Sequence, residues 1–549
     1  MEIIRGEGKI YPPDTKLLDI AKEVASPDDK AMIVAGLIDH SLKDLQNTVG
    51  EYQSISFVRT DSEMGRRIYR RSVVFLLFIA VRELYPEAKV IVEFTAHKGL
   101  YCTIERKKAL CTADVQAIGK RMRAIVQENR PIEKKYLSRN EMIQLYQQEG
   151  QYTKAEITAM MDREQLSLYY CGDYHDYLYG PMVGETGLLE KFEVDFLPPG
   201  ILLRTPSIEQ PNVVTPFIQQ PKFSNVLLEA EHWANVLRCD YVTDLNRHIR
   251  EGGIRDIIHV SEALHEKKIA EIADHIAKHI DELRIILVAG PSSSGKTSFA
   301  QRLRIQLRAN GIEPRSISLD DYFKHRENTP RTETGEYDFE NIHALEVDLF
   351  NEHLVSLMKG EEIVLPHYNF LTGRREEGTR AISLVSQAPL IIEGIHGLNE
   401  ALTISIPRAN KYKIYISALT QLNIDAHNRI ATTDARLLRR LVRDYQFRGA
   451  YALKTLKQWP DVRKGEEKNI FPFQEEADVM FNSALIYELG VLKRYATPLL
   501  EMVPKNLPEY VMAQNLLDIC NVFAPIDDEE DIPNNSLLRE FIGKSIFFR

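Results

Sequence analysis

The amino-acid sequence predicts an α/β protein of several domains, with a doubly wound parallel sheet in its C-terminal half. Three observations support this. The chain of 549 residues is too long for a single hydrophobic core. A glycine-rich turn joins a strand pattern to a helical pattern near residue 290. Between about Glu282 and Pro504, helical patterns alternate with four apolar strand candidates: RIILVAG, PRSISLD, PLIIEGI and YKIYIS.

Composition narrows the class of protein. A formal charge of −10 gives no general attraction to nucleic acid or to an anionic membrane. The longest apolar run, Ser72 to Val81, is too short for a membrane span, and the N-terminus lacks the layout of a signal peptide. The five cysteines are scattered and form no CxxC pair, which argues against a disulfide framework or a zinc ribbon and favours a reducing compartment. We therefore predict a cytoplasmic protein without a membrane partner.

Residues 1–205 contain two predicted domains. Residues 1–60 combine strand patterns (MEIIRG, AMIVAGLI, YQSISFV) with one helix, TKLLDIAKEVA, for which Asp14 and Thr15 are candidate caps. Residues 61–205 begin with a strong helix, RRIYRRSVVFLLFIAVRELY, followed by a strand pair in KVIVEFTAHKGLYCTIE. The segment PPGILLRTPSIEQP reads as a linker because closely spaced prolines resist regular structure.

Three further segments complete the predicted organisation. Residues 206–281 form a linker and a polar helical segment, and residues 282–504 form the doubly wound domain. Residues 505–549 form a C-terminal tail. Its acidic stretch IDDEEDIPNNS is predicted to be a solvated loop.

The stretch GPSSSGKTS, residues 290–298, has the spacing of a phosphate-binding loop. Glycines let the loop fold tightly, so that successive backbone amides point at one phosphate and the following helix adds its positive end. Lys296 is predicted to reach the outer phosphates, and Thr297 to bind magnesium. We expect the nucleotide to contact Gly290, Ser292, Ser293, Ser294, Gly295, Lys296, Thr297 and Ser298.

Acidic residues follow two of the other predicted strands. Asp320 and Asp321 lie in SISLDDYF, at the end of one predicted strand, and Glu393 ends the strand in IIEGIHG. In a sheet of this type the ligand crevice lies at the carboxyl ends of the strands, so all three should meet near the loop. A carboxylate there can accept a hydroxyl proton and help hold magnesium.

From about Arg284 to Asn482 the chain resembles the uridine kinase and phosphoribulokinase family. The matching pieces are GPSSSGKTS, SLDDYF, EYDFEN, LPHYNF, IIEGIHGL and TTDARLLRRLVRDYQFRG. The resemblance implies a P-loop kinase domain that uses ATP and Mg²⁺, with Asp320 as general base and metal contact and Glu393 as a magnesium ligand. Asp321 is the fallback for either role. The resemblance also implies a lid that closes over the phosphates, carrying Arg440, Arg443 and Arg448.

The same resemblance implies a nucleoside as phosphate acceptor. The segments EYDFEN and PHYNF offer groups for a flat ring and for ribose hydroxyls: Tyr337, Phe339, Glu340, Tyr368 and Phe370. Two positions depart from the pyrimidine kinases, which have a histidine where this chain has Gly373 and an arginine where it has Ala450. Base specificity is therefore open, and the predicted acceptor is a nucleoside or a similar polyol. A sugar-phosphate kinase is an alternative, favoured by His396 and Gly397.

The first two regions resemble the front of threonyl-tRNA synthetase, with a TGS-like β-grasp domain (1–60) and the editing-type domain (61–205). The quoted matches are KIYPPDTKLLDIAKEV, GRRIYRRSVVFLLFIAVRELYPEAK and DYLYGPMVGETG. Synthetases of this type hold a metal with two histidines on the helix and a cysteine and a histidine on the later segment. This chain has Arg71, Phe75, Leu178 and Met182 instead, so we expect no zinc and no editing chemistry. The front half would be a binding, regulatory or dimerising module, and the last of these would make the protein a homo-oligomer.

A cationic cluster lies at the start of the same helix: Arg66, Arg67, Arg70 and Arg71. It could meet RNA phosphates, or it could be a solvated face with some ion pairs to the lid or between domains. The first interpretation supports an alternative function, an NTPase or regulator that responds to RNA or tRNA.

Overall fold

The computed structural model describes residues 10–26, 29–52, 54–332, 335, 337–369, 372–384, 388–420 and 422–548. Within these ranges, every helix is too short or too polar to cross a lipid bilayer. The strand predicted at MEIIRG lies outside the described residues.

The first domain packs one helix on a small antiparallel sheet. Helix α1 (Leu17–Val24) lies against strands β1 (Ile33–Ile38), β2 (Ser41–Lys43) and β3 (Ile55–Arg59), in the order β2-β1-β3. The capping prediction was wrong, because α1 follows Lys16 and has no side-chain cap. Its first amides are bound by backbone instead, with the N–H groups of Leu17 and Leu18 donating to the carbonyls of Asn47 and Leu45.

The second domain is built around the long predicted helix. Helix α2 (Glu63–Leu84) begins after Ser62, whose side chain accepts a hydrogen bond from the Gly65 amide. The apolar run of α2 lies in the core, together with one face of a four-stranded antiparallel sheet. The remaining elements are β4 (Lys89–Ala96), β5 (Gly99–Glu105), α3 (Thr112–Glu128), β6 (Glu133–Ser138), α4 (Arg139–Gln148), α5 (Tyr152–Met160), β7 (Gln165–Cys171), β8 (Tyr174–Asp176), β9 (Glu193–Leu197) and β10 (Gly200–Arg204).

Strand β10 overturns part of the linker prediction. It pairs with both β5 and β9 in the sheet β4-β5-β10-β9. The prolines of PPGILLRTPSIEQP flank the apolar stretch and do not interrupt it, so Gly200 to Leu203 are buried and keep their ladder hydrogen bonds.

Three helices connect this domain to the third. They are α6 (Pro221–Leu237), α7 (Val242–Arg250) and α8 (Ile254–Lys278), as the polar helical pattern predicted. Helix α8 packs on the first helix of the next domain.

The third domain contains the predicted parallel sheet. Strands β11 (Ile285–Ala289), β12 (Arg315–Ser318), β15 (Leu390–Glu393) and β16 (Lys411–Ser417) match the four candidates, and β17 (Val479–Asn482) adds a fifth that sequence analysis missed. The order is β12-β15-β11-β16-β17, with every neighbouring pair parallel. Around the sheet lie α9 (Lys296–Ala309), α10 (Val347–Met358), the hairpin β13 (Ile363–Asn369) and β14 (Arg374–Ile382), α11 (Thr432–Arg448), α12 (Ala452–Asn469) and α13 (Glu488–Glu501).

The C-terminal tail folds back onto this domain. It contains α14 (Tyr510–Asn521) and the short α15 (Arg539–Ile542). The prediction of a solvated acidic loop was partly wrong, because Ile526, Glu529 and Ile532 are buried. Glu529 pairs with Arg539, so its carboxylate stabilises the packed tail.

Candidate active site

The phosphate-binding loop connects the central strand β11 to helix α9. Gly295 ends the loop with φ of +85°, a conformation that side chains disfavour. Gly290 lies so close to the neighbouring strand that a Cβ atom there would fall 2.0 Å from the carbonyl oxygen of Ile416. Both glycines are therefore required by the backbone. Together they hold the loop as a tight turn over the N-terminus of α9.

Helix α11 lies over this loop and binds it with three arginines. Arg436 Nε donates to the carbonyl of Ser292 (3.0 Å), and Arg439 Nη1 donates to the carbonyl of Ser293 (3.4 Å). Arg440 Nη1 donates to Ser292 Oγ (2.8 Å). Arg436 and Arg439 are almost completely buried, so they fix the shape of the loop from behind.

The other two predicted lid arginines point elsewhere in this structure. Arg443 Nη2 lies 2.9 Å from the carboxylate of Asp444, and Arg448 Nη1 lies 3.7 Å from the same group. Arg448 is nevertheless close enough to Asp320 for that carboxylate to act on its pKa, which burial lowers to about 10. Of the three predicted lid arginines, Arg440 makes a hydrogen bond to the phosphate loop.

A buried glutamate from α12 also contacts the loop. The amide of Ser292 donates to Glu466 Oε1 at 3.1 Å, and Glu466 forms a fully buried ion pair with Arg436. Arg463 binds the second oxygen of Glu466 at 2.8 Å. Glu466 and Arg439 were both missed in sequence analysis. The signal for Arg439 was available, because it follows Arg436 by three residues on the same helix.

Glu393 lies at the carboxyl end of β15, next to the loop. Its carboxylate accepts from Ser318 Oγ at 2.8 Å and lies 3.5 Å from Thr297 Oγ1. Burial, followed by the nearby Asp320 carboxylate, raises its pKa to about 7. Two hard oxygen ligands, a hydroxyl and a carboxylate, thus lie side by side, as a Mg²⁺ ion that also binds phosphate oxygens would require.

The two neighbouring aspartates face different ways. Asp321 is bound to the hairpin, with its Oδ1 at 3.2 Å from His367 Nδ1, and burial raises its pKa. Asp320 is half-buried, and its carboxylate raises the pKa values of both Glu393 and Glu340. Asp320 therefore belongs to the acidic group beside the phosphate loop, and Asp321 belongs to the hairpin side.

Glu340 is a third acidic residue within electrostatic range of Asp320. Burial raises its pKa to about 7, with a further contribution from Glu466, while Arg440 and Lys296 act in the opposite direction. Its Oε2 atom is buried and has no hydrogen-bond partner among the described residues. The side chain of Glu340 packs closely on α12, since a Cβ atom at Gly465 would fall 2.2 Å from the Cβ of Glu340.

The predicted aromatic contacts are only partly available to a ligand. Tyr368 is buried and packs on Phe323, with ring centroids 5.5 Å apart. Phe339 is half-buried and packs edge-on against the same ring at 5.8 Å. Tyr337 is half-buried beneath the Arg331 guanidinium, and Phe370 lies outside the described residues.

The C-terminal tail reaches the same loop from the other side. Glu540 Oε2 accepts from the amide of Ser298 at 3.1 Å and from its hydroxyl at 2.7 Å. The side chain of Leu537 lies 3.4 Å from the position of a Cβ at Gly295. A carboxylate of the chain therefore binds one of the first amides of α9, where the helix N-terminus attracts anions.

The four positions that correspond to the metal ligands of synthetases lie together in the core of the synthetase-like domain. Phe75, Leu178 and Met182 are buried in one cluster, and Arg71 Nη1 donates to the carbonyl of Pro181 at 2.7 Å. No group of three or more potential metal ligands occurs in the part of the chain that the structure describes. His97 and His175 have structural partners: the His97 ring contacts Ser224 Oγ and the Ile218 carbonyl, and His175 lies 2.9 Å from Glu149.

Comparison with known proteins divides the chain in the same way. Residues 285–486 match the model of the phosphoribulokinase / uridine kinase family. The N-terminal region matches threonine–tRNA ligases, including those of Acidithiobacillus ferrooxidans (36% identical over 178 residues, covering 32% of this chain and 28% of the ligase) and Geobacillus sp. (32% over 190 residues, covering 34% and 29%). The chain thus spans less than a third of the length of these relatives.

Among solved structures, a protein described as a possible uridine kinase from Bacillus stearothermophilus is 19% identical, covers 39% of this chain and 100% of its own, and has a TM-score of 0.27. With so low a TM-score, nothing further rests on this likeness. The family match and the phosphate loop together make the C-terminal region a P-loop kinase domain, preceded by a region similar to tRNA synthetases.

Proposed function

We propose that this protein transfers the γ-phosphate of ATP to a hydroxyl group of a nucleoside or a similar polyol. The observation that carries this proposal is the position of Asp320. Its carboxylate is close enough to the phosphate loop to raise the pKa values of Glu393 and Glu340, whereas Asp321 is bound to His367. A carboxylate at that position can accept the proton of an attacking hydroxyl.

The donor side of the reaction uses the loop and the arginine helix. The amides of the loop and the ammonium group of Lys296 would bind the phosphates of ATP, because they combine a helix N-terminus with a positive charge. To take part, the amides of Ser292 and Ser298 would have to leave Glu466 and Glu540, and Lys296 the carbonyl of Pro291. Arg440 would neutralise charge that develops on the transferred group, since it already contacts the loop at Ser292. Arg443 and Arg448 would have to leave Asp444 to join it.

Magnesium would be held by Thr297 and Glu393, with Asp320 nearby. When bound, it would neutralise part of the negative charge on the phosphates. Because the pKa of Glu393 is raised to about 7, about half of the ligand-free molecules hold a proton there at neutral pH. Binding of the nucleotide with its metal should therefore release that proton.

The acceptor would lie between Asp320 and Glu340. The buried Oε2 of Glu340 has no hydrogen-bond partner within the described residues, so it can accept from a ribose or polyol hydroxyl. Phe339, half-buried beside it, offers a ring edge to a base. Gly373 packs against Arg326, since a Cβ there would fall 2.6 Å from the guanidinium, and Ala450 is buried. Neither of these positions supplies a hydrogen bond to a base, which favours loose base specificity.

The direct test is a panel of nucleosides, sugars and sugar phosphates, assayed for acceptor-dependent release of ADP by the full chain. We expect at least one nucleoside or polyol to raise the rate well above that with ATP alone. Asp320→Asn should lower this rate by about 10²- to 10⁴-fold with the Kd for ATP unchanged. The matched control is Asp321→Asn, which should cost much less because Asp321 faces the hairpin. A panel without any active acceptor, or equal losses in both variants, would refute the proposal.

A further inference from the structure

A cluster of arginines lies where the synthetase-like domain meets the kinase domain. Arg66, Arg67 and Arg70 come from the first two turns of α2, and Arg429 comes from the segment just before α11. We call these four residues the junction arginines. Arg67 crosses between the domains, because its guanidinium binds Asp434 at 2.7 Å and Thr433 Oγ1 at 3.0 Å.

The junction arginines have too few acidic partners to neutralise their positive charges. Glu63 pairs with Arg66 (2.9 Å) and with Arg67 (3.1 Å), and Asp434 pairs with Arg67. Arg429 Nη1 donates to Thr95 Oγ1 at 3.0 Å, but its Nε is buried and has no hydrogen-bond partner among the described residues. For Arg70, the described part of the chain provides neither a hydrogen bond nor an ion pair.

The charge balance at this place is therefore positive. Four guanidinium groups face two carboxylates, which leaves an excess of two positive charges. Burial and the neighbouring Arg66 lower the pKa of Arg70 to about 9, and burial lowers that of Arg429 to about 10. Both shifts mean that the surroundings oppose the positive charge of these groups. An anion bound between them would relieve this cost.

We propose that the junction arginines form a binding site for the phosphate group of a small molecule, separate from the phosphate loop. Guanidinium groups bind phosphate oxygens through two N–H donors at once. The donors left for such a ligand are those of Arg70, which has no hydrogen bond or ion pair within the described residues, and the buried Nε of Arg429. The excess of two charges suits a phosphate dianion. The adjacent N-terminus of α11, which begins at Thr432, adds to the positive potential.

The recessed position of these arginines favours a small ligand over RNA. The side chains of Arg66 and Arg67 are each only 26% exposed, and Arg70 and Arg429 are half-buried between the domains. A nucleic acid backbone needs phosphate contacts along an open surface, whereas a single phosphate group can enter a narrow site.

The site is also connected to the phosphate loop. Arg67 binds Asp434 in the first turn of α11, and Arg436, Arg439 and Arg440 of the same helix bind the loop. A phosphate that draws Arg67 away from Asp434 would act on the helix that holds the loop. The two sites are therefore expected to influence each other's affinity.

The test is calorimetric titration of inorganic phosphate into the full chain carrying Lys296→Ala, so that the phosphate loop contributes little. We expect one site, weakened at least 10-fold by Arg70→Gln or by Arg429→Gln. Arg123→Gln is the matched control, because Arg123 is 52% exposed and pairs with Glu193 far from the junction; it should leave the affinity unchanged. Without phosphate, Arg70→Gln should not lower the midpoint temperature of unfolding. If Arg70 served only to stabilise the fold, the same substitution would lower that temperature.

A variant with tighter phosphate binding would show that the changes in affinity do not result from misfolding. Glu63→Gln removes a carboxylate that competes for Arg66 and Arg67, so it should tighten phosphate binding several-fold. Equal affinity in all variants would overturn the proposal, as would weaker binding in Glu63→Gln. Salt-sensitive binding of a short RNA duplex that depends on Arg70, with no response to phosphate, would overturn it in favour of RNA. Because none of these measurements uses turnover, they are independent of the proposed kinase activity.

Discussion

The two halves of this chain differ in the polarity of their central sites: the first is filled by apolar side chains, and the second contains buried acidic groups. In the kinase domain, acidic side chains occupy the site although burial is costly: Lys296 acts on Glu393, Arg440 and Lys296 act on Glu340, and Arg436 pairs with Glu466. In the synthetase-like domain, three of the four positions of the metal site carry Phe75, Leu178 and Met182, which fill the volume with apolar atoms. Buried acidic groups are costly unless a ligand or a cation compensates them, whereas apolar packing needs no such partner.

The two halves are also joined by an ion pair. Arg67, at the start of α2 in the synthetase-like domain, pairs with the kinase domain through Asp434. That outcome confirms the expectation of ion pairs between domains for Arg67. A role of this cluster in binding RNA stays a prediction.

The largest expected effect tests the chemistry of the kinase domain. Lys296→Ala removes the cation of the phosphate loop, so kcat for phosphate transfer should fall by about 10²- to 10³-fold. Lys464→Ala, on the exposed face of α12, is a control that should leave kcat unchanged. Phosphate transfer at the wild-type rate in Lys296→Ala would show that the loop does not hold the transferred group.

A second prediction tests the packed site of the synthetase-like domain. Phe75→His places a polar ring where Phe75 is now fully buried, so the free energy of unfolding should fall by about 2–4 kcal/mol. Phe75→Leu keeps the position apolar and should cost about 1–2 kcal/mol. Urea unfolding with and without added Zn²⁺ measures both. Stability restored by zinc in Phe75→His would mean that a metal site persists there.

A third prediction concerns pH. The pKa of Glu393 is raised from its ordinary value of 4.5 to about 7, so the folded protein binds an extra proton between those pH values. The free energy of unfolding of the ligand-free protein should therefore fall as pH rises through that window. Glu393→Gln removes this loss and should stabilise the protein at pH 8 by roughly 1–3 kcal/mol. Exposed Glu361→Gln is the control, and a pH profile unchanged by Glu393→Gln would contradict the assignment.

The sequence predicted the elements of this site better than their contacts. Strands β11, β12, β15 and β16 and helix α2 follow from apolar runs and periodicity, and the glycine spacing gave the phosphate loop. Strand β17 (VMFN) was missed although β12 and β15 are equally short, and the hairpin β13–β14 was missed because charged residues fill β14. The loop contacts of Glu466 and Glu540 span 174 and 242 residues, so no local pattern could indicate them.

The smallest expected effect concerns the C-terminal tail, for which sequence analysis predicted no contact with the phosphate loop. Glu540 accepts from the amide and the hydroxyl of Ser298, in the first turn of α9. A bound nucleotide places its own anionic oxygens at this helix N-terminus, so it competes with the Glu540 carboxylate. Glu540→Gln should therefore lower the Kd for ATP by about 3- to 10-fold, or about 1 kcal/mol. Exposed Glu530→Gln changes the tail's charge equally and should have no effect. If Glu540→Gln instead weakens ATP binding, the carboxylate supports the shape of the loop, and the tail belongs to the kinase site as a structural part.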